Sequence, residues 1–248
     1  MTENGLVVSH VYKSYGAINV INDLSFTVKE HSITALVGPN GAGKTTVFNL
    51  ITGTDPLDSG MVSWKGTVLT GLKPYVIARH GVARTYQDLR LFGSMTVREN
   101  VQVVMETSFK DGFGHRKKMI RERTDSILKS VGLLGVGSRR VEELSYAEKK
   151  FLSLARLLAT TADLLLLDEP ASGLDSTSQG DFVTFVRSLP THAKTVCLVE
   201  HNLELVRNLA EEVIFMDSGY ALRKGRPEDI MKDPELGAIY FGGVHEDE

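Results

Sequence analysis

Short apolar and β-branched runs recur at Leu6 to Tyr12, Leu24 to Val28 and Ile33 to Val37, and again at Leu164 to Leu167, Thr195 to Val199 and Val213 to Met216. Their composition and length predict strands. Stretches with helical spacing separate several of them, an alternation that predicts an α/β layered core around a largely parallel sheet. The turn-rich N-terminal strands and Met61 to Leu69 predict an antiparallel flank.

Between Leu89 and Thr161 the pattern turns helical. Met119, Ile120, Ile127, Leu128 and Val131 are spaced as one apolar face, and Gly132, Gly135 and Gly137 are placed to close that helix. The chain is therefore predicted to be one domain with core segments 1–88 and 162–242, a helical subdomain inserted at 89–161, and a frayed tail at 243–248. Within the insert, His115 to Arg123 holds Arg116, Lys117, Lys118, Arg121 and Arg123 against Glu122 alone. A solvated helix face is the preferred reading of that run, ahead of a contact with lipid headgroups or a partner.

Composition narrows the field. The chain has 248 residues, is 42% hydrophobic, and carries Lys+Arg 28 against Asp+Glu 31 for a net charge of -3. It can bury a full core, and it has no global pull toward nucleic acid or anionic lipid, so no nucleic-acid partner is expected. The N-terminus shows no secretory signal pattern, and no apolar run is long enough to span a bilayer. The single cysteine, Cys197, sits in an apolar strand and is read as packing.

The chemistry starts at Gly38-Pro39-Asn40-Gly41-Ala42-Gly43-Lys44-Thr45, which follows an apolar strand and precedes a predicted helix, Thr46 to Thr52, stopped by Gly53. That is the context a G-x-x-x-x-G-K-[ST] phosphate loop requires. Its backbone N–H groups and the helix N-terminus suit phosphates, Lys44 suits the β- and γ-phosphates, and the Thr45 hydroxyl suits Mg²⁺. Downstream, Leu164 to Leu167 delivers Asp168 and Glu169 at the carboxyl end of a buried strand, where ligands collect in α/β sheets. Asp168 suits the metal, commonly through water, and Glu169 suits a general base that polarises the attacking water. His201 follows the strand ending at Val199 and is read as a γ-phosphate contact, with Asn202 capping the next helix. Gln87, at the junction of core and insert, can touch Mg²⁺ or water and transmit that contact.

Together with Leu144-Ser145-Tyr146-Ala147-Glu148, these motifs resemble the ATP-binding cassette (ABC) ATPases over nearly the whole chain. The resemblance makes Gly38 to Thr46 the Walker A motif, Gln87 the Q-loop glutamine, Leu144 to Glu148 the signature, Asp168-Glu169 the end of Walker B, Ser172 to Asp175 the D-loop and His201 the switch histidine. Tyr15 matches the aromatic that stacks on adenine. The implied fold is a P-loop NTPase (RecA-like) core with a parallel sheet, an antiparallel β flank and an inserted α-helical subdomain. The implied activity is Mg²⁺-dependent ATP hydrolysis at a head-to-tail interface, where Ser145 and the backbone around Ala147 complete the site of a second cassette, in a homo- or heterodimer; Tyr146, Glu148 and Asp175 are further implied nucleotide-binding residues. Implied partners are separate transmembrane permease subunits, docked over Gln87 to Val101, and a substrate-binding protein. The implied location is the cytoplasmic face of the membrane, peripherally.

A finer resemblance is to the ATPase subunits of branched-chain amino acid importers. F-N-L-I-T-G at Phe48 to Gly53, A-R-T-Y-Q-D-L-R-L-F at Ala83 to Phe92, T-V-R-E-N-V at Thr96 to Val101, V-E-H-N at Val199 to Asn202 and the ending Gly225 to Gly242 carry it. One departure stands out: the signature's second glycine is Ala147, followed by Glu148-Lys149-Lys150. A methyl group there is expected to weaken closure by about 1 kcal/mol or more, either by crowding phosphate or by resisting a positive φ, and so to slow hydrolysis at the site Ala147 serves. Lys149 and Lys150 are read as helix-surface substitutions. The leading expectation is a transport ATPase, importing branched-chain or other amino acids. The alternative is a weakly or non-hydrolysing cassette that serves as half of a heterodimer or as a regulatory subunit. A soluble cassette acting on DNA or ribosomes lacks its expected insertion, and a P-loop kinase leaves the signature unexplained.

Overall fold

The computed structural model describes residues 5–108 and 116–241. Its strands are β1 (Gly5–Tyr15), β2 (Ile18–Lys29), β3 (Ile33–Val37), β4 (Ser59–Trp64), β5 (Thr67–Val68), β6 (Val82–Arg84), β7 (Leu164–Asp168), β8 (Thr195–Val199), β9 (Glu212–Asp217) and β10 (Tyr220–Gly225). The helices are α1 (Lys44–Ile51), α2 (Pro74–Arg79), α3 (Val97–Ser108), α4 (Arg116–Ser130), α5 (Tyr146–Ala159), α6 (Ser176–Ser188), α7 (Leu203–Leu209), α8 (Pro227–Lys232) and α9 (Pro234–Phe241).

Two sheets result. An antiparallel one runs β2-β1-β4-β5, and a six-stranded one runs β10-β9-β3-β8-β7-β6, parallel from β9 to β6 with β10 antiparallel at its edge. The fold is thus α/β with a mostly parallel sheet and an antiparallel flank, as the hydrophobic pattern predicts. The pattern does not reveal β6, which has three residues, or β10, whose residues are largely exposed.

Strand alternation divides the core. Ile33, Ala35 and Val37 of β3, Leu165 and Leu167 of β7, and Val196 and Leu198 of β8 face one apolar cluster with α5 and α6. Leu36, Leu166, Cys197 and Val199 face another, which holds α1 and the inner side of the antiparallel sheet. Period-2 side chains buried on both faces explain why these strands read as continuous apolar runs. Cys197 is wholly buried and unpaired, and burial pushes its thiol up to about 12, which agrees with a packing role.

Helices α3, α4 and α5 lie between β6 and β7 in the chain. In α4, Ile120, Thr124, Ile127 and Leu128 are buried, an i, i+4, i+7, i+8 face. Met119 does not belong to that face: it is 45% exposed, because it stands about 100° around the helix from Ile120. Past Gly132 the Leu133 N–H reaches the Leu128 carbonyl at 2.8 Å and closes the helix. Gly135 and Gly137 instead lie in and just after a short 3-10 turn, Leu134–Val136. Lys117, Lys118 and Arg121 are exposed, and Lys118 pairs with Glu122 at 3.8 Å, which fits a solvated face. His115 and the tail 243–248 lie outside the described residues. Among the described residues no helix is long and apolar enough to cross a membrane.

Candidate active site

Three parallel strands aim their carboxyl ends at one place. β3 runs into the phosphate loop, β7 ends at Asp168, and β8 leads through Glu200 to His201. Ligand chemistry collects at this edge because the strands stop there while the loops to the next helices diverge.

The loop approaches the sheet so closely that Gly38, at φ 148, admits no side chain: a Cβ would sit 1.9 Å from the Met216 carbonyl oxygen. Gly43 takes the left-handed conformation before α1, which begins at Lys44 rather than at Thr46. Lys44 is buried, and its ammonium donates to the carbonyls of Gly38 and Pro39 at 2.7 Å each. Burial lowers its pKa, while the nearby Glu169 and Asp168 charges oppose that shift. Thr45 is exposed at the first turn of α1. Loop N–H groups, helix N-terminus and ammonium together form a surface suited to a polyphosphate.

Asp168 is held through its side chain and its backbone. Its Oδ2 accepts from Arg84 at 2.7 Å, Arg84 also donates to Asn49 Oδ1 at 2.6 Å, and the Asp168 N–H donates to the Thr85 hydroxyl at 3.0 Å. Asp168 Oδ1 is buried and takes no hydrogen bond among the described residues. Glu169 follows in left-handed backbone, φ 45, with its N–H on the Val199 carbonyl at 3.0 Å. Its Oε1 lies 2.7 Å from His201 Nε2, so carboxylate and imidazole form one unit.

Behind His201, the Glu200 carboxylate is buried and accepts from the Ala171 N–H at 3.0 Å. Burial raises its pKa, opposed by backbone N–H groups of Ala171 and His201. The Tyr240 hydroxyl on α9 donates to the His201 carbonyl at 2.7 Å. Asn202 caps α7 as expected, accepting from the Leu205 N–H at 3.1 Å. Glu169, Glu200 and His201 line a cleft of about 190 Å³ with Ser172 and Gly173.

The signature lies elsewhere. Ser145 caps α5, accepting from the Glu148 N–H at 3.2 Å while Glu148 Oε2 accepts from the Ser145 N–H at 2.7 Å, a reciprocal capping box. Ser145, Ala147, Glu148 and Asp175 line a separate cleft of about 900 Å³. Asp175 caps α6 through the Ser178 N–H at 2.9 Å, a bond that lowers its pKa. Tyr15, at the end of β1, is 45% exposed and donates to Asp55 at 2.7 Å; burial and then that bond push its phenol up to about 12. Gln87 is exposed just beyond β6. The structure therefore brings together Lys44, Asp168, Glu169 and His201, and sets Ser145, Ala147, Glu148 and Asp175 in a separate cleft, while Tyr146 packs against Ser172 and Gly173 beside the first group.

Two expectations about the signature need correction. Ala147 lies in the first turn of α5 with right-handed helical backbone, so no positive φ is demanded there and that source of strain is absent. Lys150 is not a surface residue: it is 6% exposed and donates to the Glu169 carbonyl at 3.2 Å. Sequence reading also passed over Arg84, Asn49, Glu200 and Tyr240. Only the register of β6 on β7, which sets Arg84 opposite Leu166, brings Arg84 to Asp168.

The ABC transporter family model matches residues 21–172. The branched-chain amino acid transport ATP-binding protein LivG of Escherichia coli (strain K12) is 32% identical, over 98% of this chain and 99% of the relative. BraF of Pseudomonas aeruginosa, named as a protein of the same kind, is 34% identical over 96% and 97%. A crystal structure of the ADP conformation of an ATP-binding cassette of an ABC transporter superposes with a TM-score of 0.86 at 26% identity, covering 96% of this chain and 98% of the other. A dimeric cassette in a post-hydrolysis state with ADP and Pi shares the fold, at a TM-score of 0.80 and 22% identity over 90% and 98%. With its phosphate loop, Asp168-Glu169 pair and signature helix in this arrangement, the chain belongs to the ABC transporter family and is one of its ATPase cassettes.

Proposed function

We propose that this cassette hydrolyses ATP to drive import of branched-chain or other amino acids through separate permease subunits, working head to tail with a second cassette on the cytoplasmic face of the membrane. The observation that carries the catalytic part is the 2.7 Å contact between Glu169 and His201 at the end of the strand that delivers Asp168. Glu169 polarises a water toward the γ-phosphate and takes its proton on the carboxylate. His201 fixes that carboxylate and would contact the γ-phosphate. Lys44 and the loop N–H groups bind the phosphates, and Tyr15 offers its exposed ring to the adenine. A reaction of this kind needs no covalent enzyme intermediate.

Mg²⁺ fits the residues present. The buried Asp168 Oδ1 is a free acceptor among the described residues, and the Thr45 hydroxyl and Gln87 amide add oxygen donors of the kind a hard cation prefers. These three would hold it, and it would neutralise phosphate charge. Core segments 1–88 and 162–242 would then carry nucleotide chemistry, the insert 89–161 would carry the signature, and Gln87 to Val101, spanning the junction of core and insert, would form the docking face, with 243–248 as a tail. The separate clefts of Glu169 and Ser145 support a shared site, since one chain does not aim both at one nucleotide.

Relatives named for branched-chain amino acid transport support the cargo; a substrate-binding protein would deliver it to the permease. The intact Glu169 and His201 pair weighs against a non-hydrolysing partner. Steady-state hydrolysis with Mg²⁺, beside Glu169→Gln and with ATP-induced dimerisation scored by size, tests the proposal. Turnover lost in the variant, with a stabilised dimer, is expected; turnover kept by Glu169→Gln overturns the base assignment.

A further inference from the structure

Lys150 sits on α5, two residues past the signature, with only 6% of its surface exposed. Burying an ammonium is strongly unfavourable unless it is compensated. Among the described residues no carboxylate forms an ion pair with it. Its partners are the Glu169 carbonyl oxygen, at 3.2 Å, and the Tyr146 ring, whose centroid lies 5.7 Å from Nζ. Both belong to functional motifs.

The carbonyl it holds is that of a strained residue. Glu169 has φ 45, a left-handed backbone that is unfavourable for a residue with a side chain. Such strain persists only where neighbours over-determine it. Here the neighbours are the Val199 carbonyl on the N–H side, and the Ser172 N–H, at 3.2 Å, with Lys150 on the carbonyl side. Lys150 is the one of these that comes from the helical insert.

Tyr146 makes a second attachment, one helical turn earlier on the same face. Its hydroxyl lies 3.4 Å from the Ser172 carbonyl. Gly173, at φ 77, lies so close beneath the ring that a Cβ would fall 2.8 Å from Tyr146 Cε1. The first turns of the signature helix are thus fastened at two points to the loop 169–173, which starts at the catalytic carboxylate and enters the D-loop.

We infer that Lys150 is a positioning residue for hydrolysis: by holding the Glu169 carbonyl it sets the orientation of the carboxylate and ties that orientation to the pose of α5. It touches no reacting atom. The inference rests on Glu169 being the general base. In a head-to-tail pair, α5 serves the opposite nucleotide, so this tie would couple each site to the other within one chain.

The test compares the full-length protein with Lys150→Met, Lys150→Arg and Glu169→Gln, measuring kcat, equilibrium binding of a fluorescent ATP analogue, and hydrogen exchange at the Ser172 amide. Lys150→Met is expected to lower kcat about tenfold or more, since a small misplacement of a catalytic group is that costly, while ATP affinity stays within about twofold. Exchange at Ser172 should rise, and Lys150→Arg, which keeps a cationic donor, should recover most of both. Unchanged kcat and exchange in Lys150→Met overturn the inference, as does an arginine variant no better than methionine. If Lys150→Met does not fold, Lys150→Gln takes its place under the same criteria. Exchange at Ser172 decides between these outcomes even where turnover is too slow to measure. Turnover surviving in Glu169→Gln would sink the base assignment instead, which separates the two failures.

Discussion

Arg84 and Asp168 form an ion pair at 2.7 Å with both side chains almost wholly inside, at 4% and 2% exposure. The guanidinium also lies 5.4 Å from the Phe48 ring and 5.1 Å from the Tyr86 ring, so the charge is enclosed by apolar faces as well as by its partner. Removing one member leaves the other charged and buried, and such a break costs about 3–5 kcal/mol. Arg84→Met should lose that much stability in urea denaturation, and Arg84→Met with Asp168→Leu should regain much of it. A loss under about 1 kcal/mol for the single variant would mean that water reaches Asp168 after all.

The signature turn separates two effects that a glycine there would confound. Ser145→Ala removes the hydroxyl that accepts from the Glu148 N–H and should cost about 1 kcal/mol of stability. Ala147→Gly should also cost about 1 kcal/mol, because glycine in a helical turn gives up more backbone freedom. If hydrolysis nevertheless rises in Ala147→Gly, the native methyl crowds the partner's phosphate, since left-handed strain is no longer available as an explanation. Melting curves read the first quantity and steady-state ATPase assays the second.

The architecture was legible wherever chemistry is local. Strands buried on both faces announce themselves as apolar runs, and Gly38 to Thr45, Asp168-Glu169 and His201 carry their geometry in adjacent residues or at a strand end. Long-range pairings were not legible. Arg84 reaches Asp168 only through the β6–β7 register, and Lys150 reaches Glu169 only through the packing of α5 on the sheet. A lysine pair in a charged helix start looks solvated in sequence, whereas the fold turns Lys149 partly and Lys150 fully inward.

Glu200 gives stability a dependence on pH with an unusual sign for a carboxylate. Burial raises its pKa above the ordinary value of 4.5, so between those two values the folded chain binds more protons than the unfolded one. The stability it contributes is full below pH 4.5 and is lost as pH rises through the folded pKa. Glu200→Gln keeps an acceptor for the Ala171 N–H but does not titrate. The variant should therefore be the more stable protein at about pH 8, and the difference should close on acidification. Denaturation midpoints compared at about pH 8 and about pH 5 decide the point; an advantage that grows toward acid would reverse the assigned sign.

The Tyr240 hydroxyl ties the last described helix to His201. It donates to the His201 carbonyl at 2.7 Å, and its ring meets Phe215 at 6.3 Å between centroids. Tyr240→Phe keeps the ring contact and deletes only the donor, so the expected loss of stability is about 1 kcal/mol. His201 also lies 2.7 Å from the Glu169 carboxylate, so a looser carbonyl anchor should lower kcat while leaving ATP affinity unchanged. Equal losses in kcat and affinity would instead indicate general loosening of the nucleotide site. Unchanged kinetics with the stability loss alone would confine Tyr240 to holding α9 in place.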